Sequence, residues 1–250
     1  MIPPLLEPDW PAPASVLALA TTRGGGASGE PFASFNLGDH VGDDAAAVRA
    51  NRDTLVSLLP RGLRVSWLEQ VHGARVLPAA ASGHAGEADA QYCTQPGLAC
   101  AILTADCLPV LLCNRAGDRV AAAHAGWRGL AAGVLEATVA TLDTAPADLL
   151  AWLGPAIGPG AFEVGAEVRQ AFVDAAGPTA SSVAACFAPG ARAGHYLADL
   201  YALARLRLAA AGVSAVYGGG LCTYTDAQRF FSYRRDGRTG RMATLIALRP

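Results

Sequence analysis

Three short segments each finish a run of apolar residues on a side chain able to hold a metal or move a proton. They are Gln70-Val71-His72-Gly73, Ala105-Asp106-Cys107-Leu108-Pro109 and His124-Ala125-Gly126-Trp127-Arg128-Gly129. Imidazole nitrogen and thiolate sulfur are donors that zinc favours, and three protein ligands with one open corner are the arrangement of a catalytic zinc. Strand ends hold such donors more rigidly than loops do. Spacing alone leaves other readings open. His72 and His124 would then be hydrogen-bonded core histidines and Cys107 inert packing. A sulfur free of metal, with His124 as its base, would make a thiol hydrolase or amidase. A fourth ligand such as His195 or Cys222 would close the tetrahedron, giving a binding module that does not turn over.

Copper oxidase chemistry fits the residues poorly. A multicopper centre clusters imidazoles, usually as His-X-His, whereas the five histidines here stand apart. A blue-copper site would add an axial methionine to two His and one Cys, and the chain has only Met1 and Met242. Copper is therefore expected at these donors only adventitiously.

A second motif fails on inspection. Gly24-Gly25-Gly26-Ala27-Ser28-Gly29 matches the dinucleotide fingerprint, but Glu30-Pro31-Phe32-Ala33-Ser34-Phe35-Asn36-Leu37-Gly38 follows it without helical period. The fingerprint works only where a helix N-terminus opens inside it to meet the pyrophosphate. What is left is a turn-rich loop whose backbone N–H groups, with Arg23, could hold an anion.

Composition removes further classes. A formal charge of −2 and a pI near 6.2 give no basic field for nucleic acid or anionic membrane. All 19 basic residues are arginine, which excludes a lysine Schiff base, a pyridoxal phosphate linkage and a lysine-dependent phosphate loop. The six cysteines form no Cys-x-x-Cys pair and predict no disulfide framework. Apolar runs stop short of the ~18 residues a membrane helix needs, and the start reads as no secretory signal. The expectation is a single cytoplasmic domain over residues 1–250, of undetermined oligomeric state.

The elements that must position the donors follow from pattern. Strands are expected at Val16–Thr21, Val65–Val71, Ala74–Leu77, Leu98–Leu103, Pro109–Cys113, Val120–His124, Leu149–Leu153 and Arg241–Leu248. Helices are expected from Asp43 or Asp44 onward, at Leu130–Leu142, at Ala166–Ala176 and, longest of all, at Leu197–Ala211. Ala79–Glu87 and Ala176–Ser182 read as the least ordered stretches. Consecutive strands over Cys100–His124 argue for an α+β chain with mixed sheets rather than strict alternation.

Many segments together resemble the laccase-domain, or YfiH-like, family, whose bacterial members were first called polyphenol oxidases. The matching pieces are Arg23-Gly24-Gly25 with Ser28, Ser34 to Gly38, His40-Val41-Gly42-Asp43 leading to Asn51-Arg52, and Trp67 to Gly73. Ala88-Asp89-Ala90, Thr104 to Pro109, His124 to Gly129, Leu153 to Pro159, Phe162 to Gly165, Cys222-Thr223 and Phe231 to Asp236 complete them. The resemblance implies His72, Cys107 and His124 as zinc ligands. It also implies phosphorolysis of adenosine, inosine, guanosine and methylthioadenosine by inorganic phosphate, and deamination of adenosine. Its fold would be a sandwich-like pair of mixed sheets flanked by helices, shared with a bacterial deamidase toxin.

Under that reading Arg128 is the first choice for a phosphate-facing guanidinium, with Arg23 and Arg52 behind it. Asp106 would orient a ligating imidazole or take protons. Asn36 would touch substrate, unless it is a turn residue. Tyr233, Arg234 and Arg235 are placed in a structural role ahead of a pocket-capping one.

Overall fold

The computed structural model describes residues 3–250, so Met1 lies outside the described residues. Strands Leu5–Leu6 (β1) and Val16–Thr21 (β2) precede a long loop and helix Ala45–Leu58 (α1). Next come Arg64–Glu69 (β3), Val76–Pro78 (β4), His84–Glu87 (β5) and Ala90–Cys93 (β6). The central run is Leu98–Thr104 (β7), Leu108–Asn114 (β8) and Val120–Ala125 (β9), leading into helices Trp127–Ala132 (α2) and Val134–Thr141 (α3). Leu149–Leu153 (β10), Glu163–Gly165 (β11), helices Ala166–Asp174 (α4) and Ala180–Ala184 (α5), Phe187–Pro189 (β12) and His195–Ala198 (β13) follow. Helix Leu200–Ala210 (α6), Ala215–Gly218 (β14), the short helix Tyr233–Asp236 (α7) and Met242–Leu248 (β15) complete the order.

Two mixed six-stranded sheets, β1-β2-β15-β7-β3-β5 and β14-β10-β8-β9-β6-β4, and a three-stranded sheet β11-β13-β12 result. Alternation along the central strands explains how the large sheets stack. Leu98, Cys100 and Ile102 of β7 share a core with Leu111, Cys113, Val120 and Ala122 of β8 and β9, so these faces meet. The opposite residues of β7, Ala99, Ala101 and Leu103, pack under Leu55 of α1. On the far side, Leu108, Val110, Leu112, Ala121 and Ala123 are covered by Leu130, Leu135, Phe172 and Leu203 from the other helices. Strands buried on both faces carry unbroken apolar runs, which is why Leu108–Asn114 shows no polar alternation. The α+β expectation with a sandwich-like core holds.

Several boundaries move for identifiable reasons. The expected helix Leu130–Leu142 is two helices that start at Trp127 and break at Gly133, whose φ of 94° is left-handed. The longest helix is α1 with 14 residues, not α6 with 11, because the start of the expected Leu197–Ala211 helix pairs as strand β13 and Asp199 caps the helix only afterwards. Ala79–Glu87 contains β5, and Ala176–Ser182 enters α5 through a 3₁₀ turn. Asp44 is the N-cap of α1, accepting from Ala46 and Ala47 N–H.

Candidate metal centre

Register brings the three segments together. Antiparallel β8 and β9 pair Leu108 with Ala125 and Pro109 with His124, which sets Cys107 beside Gly126 one step further. The amide of Gln70 donates to Leu103 O and accepts from Leu103 N–H, both at 2.8 Å, prolonging the β3–β7 seam to the threshold of His72. His72 and Asp106 then turn through positive φ, 63° and 94°, a conformation uncommon outside glycine and more accessible to His and Asp than to most side chains. The donor atoms of His72, Cys107 and His124 lie within 4.8 Å of one another. The two imidazoles meet edge to face, centroids 4.8 Å apart.

Asp89 holds this geometry. Fully buried, its carboxylate lies 2.8 Å from His124 Nδ1 and accepts backbone N–H bonds from His72 at 2.9 Å and Gly73 at 2.6 Å. Burial opposes its charge, but the bonds from His124 and from Gly73 and His72 outweigh it and hold the carboxyl below the usual range. With Nδ1 committed, His124 is left Nε2 as its donor, the arrangement of a carboxylate-oriented metal ligand. Burial pushes the Cys107 thiol up, yet His124 and His72 beside it bring it down to about 6. Burial likewise disfavours a charged His124, while Cys107 and Asp89 raise it to about 9. The sulfur is thus biased toward thiolate, the form that binds zinc.

Glycines make room for the donors. A Cβ on Gly126 would stand 3.0 Å from Cys107 Sγ and 3.3 Å from His72 Cδ2. One on Gly129 would meet Gly73 O at 2.7 Å, so α2 approaches the His72 turn only without it. Among the described residues no fourth His, Cys, Asp or Glu joins the group. His195 instead bonds Ala193 O, and Cys222 accepts from Gly158 N–H. The donor set suits a single borderline ion with an open corner.

Two cavities meet at Ala105, Cys107 and Tyr233. One, about 130 Å³, is apolar, walled by Trp127, Ile157, Phe162 and Leu200, with Asp106 and Arg234 at its edge. The other, about 380 Å³, is polar and lined by His40, Gln70, His72, His124 and Arg241 among others. Tyr233, 61% exposed, stands over the seam.

Residues 17–249 match the family described as multi-copper polyphenol oxidoreductase laccase. The chain belongs to this laccase-domain family. A Pseudomonas aeruginosa protein named a purine nucleoside phosphorylase is 58% identical over 243 residues, covering 97% of this chain and 98% of its own. Escherichia coli YfiH, likewise named a purine nucleoside phosphorylase, is 54% identical, covering 98% of each chain. A Neisseria meningitidis protein of solved structure superposes with a TM-score of 0.92 at 52% identity, covering 98% of this chain and 99% of its own. YlmD of Geobacillus stearothermophilus gives 0.83 at 36%, with 95% and 93% covered.

In this laccase-domain chain the arginines expected to face phosphate lie elsewhere. Arg128 is exposed and stacks 4.7 Å over Trp127, outside both cavities. Arg23 spends its guanidinium on Ala33 O and Ala227 O and on the Phe231 face. Arg52 bonds Leu37 O and Asp39 and lies over Trp67. Half of the loop amides are committed as well: those of Gly26, Ala27 and Ser28 donate to Ser34 Oγ, Asn51 Oδ1 and Ser34 O. Asn36 is the turn residue of the two alternatives, fully buried and bonded to Gly38, Asp43 and Arg241 N–H.

Asp106 does not orient an imidazole. Its carboxylate accepts from Thr223 Oγ1 and Arg234 N–H, both at 2.6 Å, tying the cysteine loop to the C-terminal segment. Asp89 has the role expected of Asp106, and its place inside Ala88-Asp89-Ala90 was the only sequence signal for it. Tyr233 and Arg234 do reach the cavities, whereas Arg235 binds Thr223 O, Tyr224 O and Phe230 O as a structural clamp. His40 and Arg241 went unnoticed as site residues because their segments carry no donor pattern of their own.

Proposed function

We propose that the chain is a zinc-dependent purine nucleoside phosphorylase that also deaminates adenosine. One observation carries the reading: a His, Cys, His donor group sits where an apolar and a polar cavity meet. The apolar chamber between Trp127, Ile157 and Phe162 suits a planar purine, with Tyr233 as a stacking face at its mouth. The polar chamber then faces ribose and the second reactant. His72, Cys107 and His124 would hold the zinc, which would supply Lewis acidity to the reaction. Copper would occupy the same donors only adventitiously.

In phosphorolysis an oxygen of hydrogen phosphate bonds to ribose C1′ as the bond from C1′ to the purine nitrogen breaks. The bond's electrons leave with the base, which ends carrying the phosphate's proton. Positive charge grows on the sugar meanwhile, so the cleft must hold the anion close to C1′. Adenosine, inosine, guanosine and methylthioadenosine all present the same bond, and in deamination the oxygen of water bonds to purine C6 as the exocyclic amine of adenosine leaves as ammonia. The relatives named purine nucleoside phosphorylases support this assignment over oxidase chemistry. Among the described residues no helix is long and apolar enough to cross a membrane, which is compatible with the proposed cytoplasmic address.

The thiol-hydrolase reading draws on the same sulfur, since each group favours the charged form of the other when no metal is bound: His124 lowers the Cys107 pKa and Cys107 raises that of His124. Incubating zinc-loaded protein with adenosine and phosphate, and resolving adenine, ribose 1-phosphate and inosine, tests the phosphorylase reading. All three products are expected. Absence of every one contradicts it.

A further inference from the structure

We infer that Arg241, with His40 at the mouth, forms the oxyanion site that takes inorganic phosphate. This assignment rests on the phosphorylase reading of the metal centre and names the binding place of its second substrate. Arg241 is held from both ends of its backbone: its N–H donates to Asn36 Oδ1 at 2.8 Å and its carbonyl accepts from Leu37 N–H at 3.1 Å. Nη1 of the guanidinium donates to Thr239 O and Gly240 O and the group lies over the Tyr233 ring, 5.9 Å from its centroid, which leaves Nε and Nη2 without a hydrogen-bond partner among the described residues. Gly38 clears its path, since a Cβ there would come within 2.8 Å of Arg241 Cγ.

Charge decides what the site takes. Six arginines have an acidic partner; half-buried Arg241 is among those that form no ion pair among the described residues, and it is the arginine that lines the polar cavity. No carboxylate lines the polar cavity. The negative groups closest in effect are Cys107, committed to the metal donor set, and Asp106, whose oxygens are already bonded to Thr223 and Arg234. A partly desolvated cation without a counter-charge is costly, and an anionic ligand offsets that cost. A guanidinium fork matches a tetrahedral oxyanion in two parallel bonds. His40 stands at the same cavity, and an outer groove of about 420 Å³, lined by His40, Tyr233, Arg238 and Arg241, opens it to solvent. The anion thus has an entrance separate from the apolar chamber.

The test titrates inorganic phosphate calorimetrically into zinc-loaded protein, and measures KM for phosphate and for nucleoside separately. Arg241→Gln should weaken phosphate ~10- to 100-fold, the scale of a lost charged hydrogen bond, with a much smaller change in nucleoside KM through the lost contact with the Tyr233 ring. Arg241→Lys, which keeps the charge and fold but loses the fork, should fall between. His40→Gln should cost about three-fold, the scale of one neutral hydrogen bond, since burial and Arg241 lower the pKa of this ring beside Asp39. Unchanged phosphate binding and KM in a folded Arg241→Gln or Arg241→Lys protein overturns the assignment while leaving the phosphorylase reading intact. Phosphate heat that depends on Arg241 without any phosphorolysis does the reverse. Neither heat nor phosphorolysis in the unaltered protein removes both.

Discussion

Asp89 Oδ1 lies 2.8 Å from His124 Nδ1, and the same carboxylate caps the backbone N–H groups of His72 and Gly73. One buried side chain therefore fixes two of the three donors, one by its ring and one by its main chain. Asp89→Asn keeps the shape but removes the charge that orients His124. Zinc affinity should fall ~10- to 100-fold, the usual effect of losing such a partner. Competition against a chromophoric chelator reads this directly, and an affinity equal to that of the unaltered protein would assign Asp89 a folding role only.

Cys107 should resist alkylation in the zinc-loaded protein and react once a chelator has stripped the metal. In the stripped protein the alkylation rate should reach half its maximum near pH 6, well below an ordinary thiol, because His124 and His72 stabilise the thiolate. Immediate labelling of the loaded protein would favour the thiol hydrolase.

Stability should barely register the same pair. The lowered Cys107 pKa contributes fully at high pH and is lost as pH falls through about 6. The raised His124 pKa contributes fully below its ordinary 6.5 and is lost as pH rises through about 9. The two slopes oppose each other, so the melting temperature of metal-free protein should stay level between these limits; a steep slope there would mean that the pair is not coupled.

Gly126→Ala places a methyl group 3.0 Å from Cys107 Sγ and 3.3 Å from His72 Cδ2. The donors must spread, and zinc occupancy after dialysis should drop ~10-fold or more while the fold persists. Elemental analysis beside a melting curve separates the two effects. Full occupancy in the variant would show that the donors have slack.

Tyr233 is 61% exposed over the seam of the two cavities, so its removal costs the fold little. Tyr233→Ala should raise nucleoside KM by roughly 2- to 10-fold, the worth of one aromatic stacking contact of about 0.5–1.5 kcal/mol. Steady-state kinetics with adenosine checks it; a lowered melting temperature with unchanged KM would make Tyr233 a packing residue.

How much of this was legible in the sequence differs by residue. The donors could be picked out because each closes a strongly apolar strand, and Val16–Thr21 and Leu149–Leu153 are read to the residue. Period and composition mark such segments well. Helix breaks at Gly133 and the strand before Asp199 were missed, since tertiary pairing of β13 with β11 and β12 overrides local helical preference. The second layer of the site was harder still. Asp89 and Asp106 are both acidic residues next to alanine in apolar surroundings, and only folding decides which one meets an imidazole. Arg128 sits four residues after the candidate donor His124 yet points outward from α2, while Arg241 reaches the cavity from over a hundred positions away. Sequence proximity says nothing about the direction in which a helical side chain leaves its axis.

X-ray absorption at the zinc edge of freshly purified protein reads the donor set of His72, Cys107 and His124 itself. Zinc is expected in near-equimolar amount, with one sulfur at about 2.3 Å, two imidazole nitrogens at about 2.0–2.1 Å and a light-atom neighbour at the open corner. A spectrum without sulfur, a fully protein-ligated tetrahedron, or copper in place of zinc would contradict the zinc reading.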